Sequence, residues 1–159
     1  MAETSESLLF FNKAVRLGIR CAFAESITAG NLTAELVNYA GSSKVLNGGI
    51  TAYSNDVKMK VLGVKAETLD DFGAVSKQTV SGMLTGLSKL IPSDIYAAVS
   101  GIAGPDGGSA EKPVGTVQIG FLYKGKEQID RLLFDGGREE IIRQTVVYVY
   151  RTMLNLITG

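Results

Sequence analysis

Histidine is absent from this chain of 159 residues. That absence excludes a Ser-His-Asp triad and a Cys-His dyad, and with them nearly every zinc site, which draws on imidazole and thiolate ligands. Carboxylates could still hold a hard cation such as magnesium, so metals are disfavoured and neither metal nor cofactor is expected. Cysteine occurs once, at Cys21; no intrachain disulfide can form, and a reducing, cytoplasmic compartment is the natural setting. No run approaches the ~18 to 20 apolar residues of a membrane helix. The opening residues Met1-Ala2-Glu3-Thr4-Ser5-Glu6 are acidic and polar, where a signal peptide begins basic. Neither charge is in excess: sixteen acids balance sixteen bases. No Lys/Arg cluster offers the basic face of a nucleic-acid binder.

What is there suits one domain spanning 1–159, since 45% of the residues are hydrophobic and the length can bury a core. Leu8, Phe11 and Val15 recur at helical spacing and predict an opening helix that ends near Gly18. Positions 19–24 read as a buried strand, with Cys21 a small core residue, and 28–39 as a helix. Positions 45–53 read as a strand bent at Gly48-Gly49, and 54–62 as a helix capped by Ser54 or Asn55 and stopped at Gly63. Ser76 should cap a helix whose Val80, Met83, Leu84, Leu87 and Ile91 form one stripe, with Gly82 and Gly86 letting its other side approach the sheet. Pro92 ends it, and 95–100 is a buried strand. Strands 115–123 and 128–134 follow a long loop, and a last helix over 137–156 should bury Ile142, Val146, Val149 and Met153. Alternating helices and strands followed by a hairpin predict an α/β fold: a mixed, mostly parallel sheet with helices on both faces.

Familiar signatures fail. No two glycines are separated by a single residue, so the dinucleotide fingerprint is absent. The stretch from Gly120 to Gly125-Lys126 has P-loop spacing, but Glu127 stands where Ser or Thr would hold magnesium, and the stretch reads as a hairpin. A G-x-S-x-G elbow is also missing.

Three segments place polar, reactive groups at the ends of predicted strands, where α/β sheets collect ligands. In Ala24-Glu25-Ser26-Ile27-Thr28-Ala29-Gly30, Ser26 and Thr28 lie at a strand-to-helix turn whose free amides favour an anion or oxyanion; either residue could equally be a plain helix cap. In Tyr53-Ser54-Asn55-Asp56-Val57-Lys58, the lysine sits early in a helix, where the dipole repels a cation. Repulsion and burial together would supply a neutral amine base; the alternative is a solvated surface lysine like Lys60. The loop 101–113 is dense in glycine, letting the backbone turn its amides onto a phosphate, with Lys112 as counter-charge.

Together these segments resemble one family. Glu25-Ser26-x-Thr28-x-Gly30, Gly41-Ser42-Ser43, Ala52-Tyr53-Ser54-Asn55 with Lys58, Leu62-Gly63-Val64, Gly73-Ala74-Val75-Ser76, the run Ser100 to Ser109, and Glu111 to Val117 are similar to the C-terminal domain of CinA, the competence/damage-inducible protein, also found alone as PncC. The match runs in order from about residue 8 to 156. The resemblance implies a three-layer α/β/α fold and hydrolysis of the nicotinamide mononucleotide carboxamide to nicotinate mononucleotide and ammonia, in pyridine-nucleotide recycling. It implies Ser26, Tyr53 and Lys58 as the catalytic group. Substrate is expected against Thr28, Gly30, Ser42, Asn55, Gly101, Ala103, Gly104, Gly107, Gly108, Ser109 and Lys112. CinA itself carries a further N-terminal domain. The pattern is departed from at Ile27, usually Cys, and Ala29, usually Gly. A silent nucleotide-binding or regulatory relative is the alternative function. The expected partner is a small pyridine nucleotide, with no nucleic acid and no membrane; a homo-oligomer is left open.

Overall fold

The computed structural model describes residues 5–159. Helix α1 (Glu6–Leu17) is capped by Ser5 and closed by Gly18 in the left-handed region. Then come β1 (Cys21–Glu25), α2 (Asn31–Val37), a 3-10 turn at Ser42–Lys44, β2 (Leu46–Thr51), α3 (Asn55–Lys60), α4 (Ala66–Phe72) and α5 (Lys77–Leu90). The chain finishes with β3 (Ile95–Gly101), the hairpin β4 (Thr116–Tyr123) and β5 (Lys126–Leu133), and α6 (Arg138–Thr158). The sheet order is β2-β1-β3-β4-β5. Strands β2, β1 and β3 pair parallel and β3/β4 and β4/β5 antiparallel. Four strands therefore point one way, but only half of the ladders are parallel.

Strict alternation builds the three layers. Cys21 and Phe23 of β1, with Ile95, Ala97 and Val99 of β3 and Val117, Ile119 and Phe121 of β4, join Phe10, Leu32, Leu36 and Tyr150 in one core. The intervening Ala22, Ala24, Tyr96 and Ala98 meet Val80, Met83, Leu84 and Leu87 of α5 on the other face. Small residues on that second face let α5 lie close: an added Cβ on Gly120 would come within 2.8 Å of both Val80 and Leu84.

The structure corrects several local expectations. On α1 the buried face is Ser7, Phe10, Phe11 and Ala14, while Val15 is exposed. On α6 it is Ile141, Thr145, Val149, Tyr150, Met153 and Ile157, with Ile142 and Val146 only half-buried. Both faces turn because the two helices pack on each other as well as on the sheet, Phe10 meeting Tyr150 at 5.8 Å between ring centres. Helix α2 starts three residues later than expected. Gly82 and Gly86 face Val64 and Leu62 rather than the sheet, and a Cβ on Gly86 would overlap the Leu62 carbonyl. Helix α4 has no expectation to match; it buries only Leu69 and shows little periodic signal. At β2 the irregularity falls beside the expected glycines: the register with β1 skips Asn47 between Leu46 and Gly48.

Candidate active site

Strands β1 and β2 run side by side, and Ala52 N–H still donates to the Glu25 carbonyl at 2.7 Å beyond the end of β2. Whatever follows the two strands is thus brought together at one end of the sheet. After β1 comes Ser26, whose N–H stays on the Val99 carbonyl of β3 and whose own carbonyl accepts from Ala29 N–H in a tight turn. After β2 comes Tyr53, then α3, capped by the Ser54 hydroxyl, which accepts from Val57 N–H. Lys58, on that helix, reaches back over the strand ends.

The Lys58 side chain is 1% exposed. Its ammonium donates to Ser26 Oγ at 2.9 Å and to the Tyr53 carbonyl at 3.1 Å. Burial pushes the lysine below its ordinary value, because a cation loses hydration there. No carboxylate pairs with it among the described residues. The sequence argument from the helix dipole does not apply: Lys58 is the fourth residue of a six-residue helix and lies in its last turn. Desolvation is the cause.

These groups line a pocket of about 180 Å³ with Ile27, Asn55, Ala74, Val75, Ser100, Gly101, Ala103 and Arg138. Small-molecule pockets commonly measure about 300–1,000 Å³, so this one admits the reacting end of a ligand and leaves the rest at its mouth. Gly101 lets β3 close against the turn after Ser26, since a Cβ there would come within 2.9 Å of Ile27 Cδ1 and Val117 Cγ2. The amides of Ile27 and Thr28, immediately after Ser26, make no hydrogen bond among the described residues.

Of the residues singled out in the sequence, Ser26, Tyr53, Asn55, Lys58, Gly101 and Ala103 come together here. Tyr53 does so differently from expectation: its main-chain carbonyl, not its hydroxyl, touches Lys58, and the phenol is 59% exposed and accepts from Arg138 at 3.3 Å. Neither Ser26 nor Thr28 is a helix cap. The N-cap of α2 is Gly30, which has no side chain to do so, and the buried Thr28 hydroxyl donates to Glu25. Thr28 and Gly30 therefore build the turn behind the pocket instead of lining it. Ser42 lies just before β2, at the opposite end of the parallel strands, remote from Ser26. Gly107, Gly108 and Ser109 are exposed on the loop tip and do not line the pocket, while Gly104 is buried under it. Lys112 is committed elsewhere: its ammonium donates to the Phe72 carbonyl at 2.6 Å, tying the loop to the end of α4.

Arg138 is the residue that the sequence reading missed. It opens α6, and its guanidinium donates to the Gly104 carbonyl at 2.9 Å and to the Tyr53 hydroxyl. A cation in the first turn of a helix opposes the dipole, and that oddity was the available signal.

Among the described residues no cluster of three or more His, Cys, Asp or Glu could hold a metal, and no helix is long and apolar enough to cross a membrane.

Known proteins share this fold. A CinA-like protein of Kosmotoga olearia is 41% identical over 99% of this chain, and a putative competence-damage inducible protein of Clostridium tetani is 49% identical over 79%. The chain spans 39% and 31% of those two proteins. The crystal structure of the competence/damage inducible protein CihA from Agrobacterium tumefaciens superposes with a TM-score of 0.91, at 37% identity and complete coverage of both chains. A CinA superfamily protein from Klebsiella pneumoniae gives 0.91 at 33% identity, covering 97% of this chain and 98% of the other. The CinA C-terminal domain family matches residues 5–157, and the chain belongs to that family.

Proposed function

We propose that this chain is a cytoplasmic Ser-Lys amidohydrolase that converts nicotinamide mononucleotide to nicotinate mononucleotide and ammonia. The observation that carries the reading is the 2.9 Å contact between a fully buried lysine and Ser26 inside a pocket. A serine is unreactive without a base, and with no histidine in the chain the neutral lysine is the base at hand.

Burial favours the neutral amine, which turns the contact round: the Ser26 hydroxyl then donates to Lys58 Nζ, and one of the amine's two hydrogens stays on the Tyr53 carbonyl. Ser26 Oγ attacks the carboxamide carbon and Lys58 takes the proton. The oxyanion meets the free amides of Ile27 and Thr28. Collapse breaks the C–N bond, Lys58 returns its proton to departing ammonia, and an acyl-serine remains. Water, deprotonated by the same lysine, then attacks the acyl carbon; the bond to Ser26 Oγ breaks, Lys58 returns the proton to that oxygen, and nicotinate mononucleotide leaves. The cationic pyridinium of the substrate withdraws electrons from the carboxamide and eases both attacks. A pocket of about 180 Å³ suits the ring and carboxamide, while the phosphate lies at the mouth, where Arg138, rather than Lys112, offers the charge. Neither Ile27 nor Ala29 replaces a reacting atom, so their departure from the usual pattern is compatible with turnover.

Incubation of the purified protein with nicotinamide mononucleotide, followed by ammonia and nicotinate mononucleotide, tests the reading. Stoichiometric release of both is expected. Binding without release would leave the silent nucleotide binder instead.

A further inference from the structure

The residue before the nucleophile carries a buried carboxylate that the reaction above does not use. Glu25 is 1% exposed and forms no ion pair among the described residues. Five donors from the next eight residues surround it. Oε2 accepts from the Thr28 hydroxyl at 2.6 Å and from the Gly30 and Leu32 amides at 3.0 Å each. Oε1 accepts from the Thr33 amide at 2.9 Å and the Thr33 hydroxyl at 2.8 Å.

A buried, unpaired charge is costly, and only such a full set of charge-assisted bonds offsets it. Part of that set caps α2: the Leu32 and Thr33 amides belong to its first turn, where the N-cap Gly30 has no side chain to serve them. The turn has a second demand. Between Ser26 and α2 the chain passes through Ala29 at φ +46° and Gly30 at φ +101°, two consecutive left-handed residues, one with a side chain. Such a conformation persists only where its surroundings impose it. Glu25 is anchored in the sheet between Thr51 and Val99, and its carboxylate binds both sides of that turn.

We propose that Glu25 is a positioning residue, whose carboxylate fixes the 26–30 turn so that the Ser26 hydroxyl stays on Lys58 with the Ile27 and Thr28 amides unoccupied beside it. The role rests on the deamidase reading for its substrate but not for its test. Gln at this position keeps the shape while losing the charge, and it turns an N–H donor toward amides that also donate. The Ser26 oxygen then wanders, and misplacement by about 1 Å costs roughly a hundredfold in rate.

The decisive measurement needs no nucleotide. Phenylmethanesulfonyl fluoride sulfonylates an activated serine: the Oγ–S bond forms, the S–F bond breaks, fluoride leaves and Lys58 takes the proton. Intact mass gives the rate. Labelling of wild type, none in Ser26→Ala, and about hundredfold slower labelling in folded Glu25→Gln are expected. With nicotinamide mononucleotide, Glu25→Gln should lose kcat in parallel with labelling while KM holds. Thr33→Val, which removes one donor outside the pocket and keeps the side-chain shape, should be slowed to a lesser degree at a near wild-type melting temperature; it decides the matter if Glu25→Gln does not fold. Wild-type labelling in a folded Glu25→Gln, or in Thr33→Val when Glu25→Gln does not fold, would reduce Glu25 to a fold element, whose loss lowers the melting temperature alone. Absence of labelling in wild type overturns the proposal as well, since an unactivated serine needs no positioning. Normal labelling without turnover of the nucleotide strikes the deamidase reading and leaves Glu25 judged by the labelling rates.

Discussion

Lys58 Nζ stands 2.9 Å from Ser26 Oγ across 32 positions of sequence. The meeting is a consequence of topology. Two adjacent parallel strands end level with each other, the serine follows one at once, and the lysine returns from the first helix after the other. The sheet supplies the distance, and the burial that the sheet and helices impose destabilises the charged form of the lysine beside the serine.

Loss of either member should abolish turnover, and the losses should not add. Ser26→Ala and Lys58→Met are each expected to lower kcat by about 10⁴-fold or more, with the double variant no worse than either single. Tyr53→Phe should stay near wild type, because its carbonyl and not its hydroxyl touches the lysine. Steady-state ammonia release by the four proteins checks this. Near-normal activity in Ser26→Ala would put water, not serine, in the attacking role.

The serine–lysine meeting was legible because both residues lie within a few positions of recognisable strand ends, where short-range pattern is dependable. Less local features were not. The buried faces of α1 and α6 turn through the contact between Phe10 and Tyr150, which joins opposite ends of the chain. Lys112 looked like the loop's charge since it is the loop's own cation, yet a carbonyl on α4, an element with little periodic signal, takes it away. Arg138 approaches Tyr53 across 85 positions and belongs to no local motif. The helix-dipole argument applied to Lys58 was wrong for that residue, which lies in the last turn of its helix; the cation that stands in a first turn is Arg138.

Phosphate recognition should therefore follow Arg138. Arg138→Ala is expected to raise KM for nicotinamide mononucleotide about ten- to hundredfold, the worth of one charged hydrogen bond. KM for nicotinamide riboside, which lacks the phosphate, should change little. Lys112→Ala should leave both near wild type. Parallel kinetics with the two substrates check the assignment, and equal effects of Arg138→Ala on both would move the phosphate elsewhere.

Ala29 occupies a left-handed conformation at φ +46°, where glycine avoids a Cβ clash worth roughly 1–2 kcal/mol. Greater freedom of glycine in the unfolded chain returns about 0.5–1 kcal/mol of that. Ala29→Gly should thus stabilise the protein slightly, by about 0.5–1 kcal/mol. Urea unfolding with an unchanged m value would measure it, and destabilisation would show that the Ala29 methyl makes a compensating contact.

Lys58 also links stability to pH, with a sign opposite to that of a lysine in an ion pair. Burial lowers its value in the folded protein, while the unfolded chain keeps the ordinary value of about 10.4. Between those two values the unfolded state binds more protons, so stability rises with pH across that window. Below the window the folded protein carries the full cost of a buried ammonium, and above it the cost is gone. Lys58→Met removes the titrating group and fills the space with an apolar chain of similar length. The variant should accordingly be more stable than wild type at neutral pH, and its advantage should shrink as pH climbs through the window. Activity should track the same group in wild type, with kcat/KM rising as Lys58 loses its proton below the ordinary lysine value of about 10.4. Denaturant titrations of both proteins across neutral to alkaline pH, beside the pH–rate profile, test the two halves together. A stability difference that stays flat with pH would mean that Lys58 titrates alike in the folded and unfolded chain, and the general base would then have to be sought elsewhere.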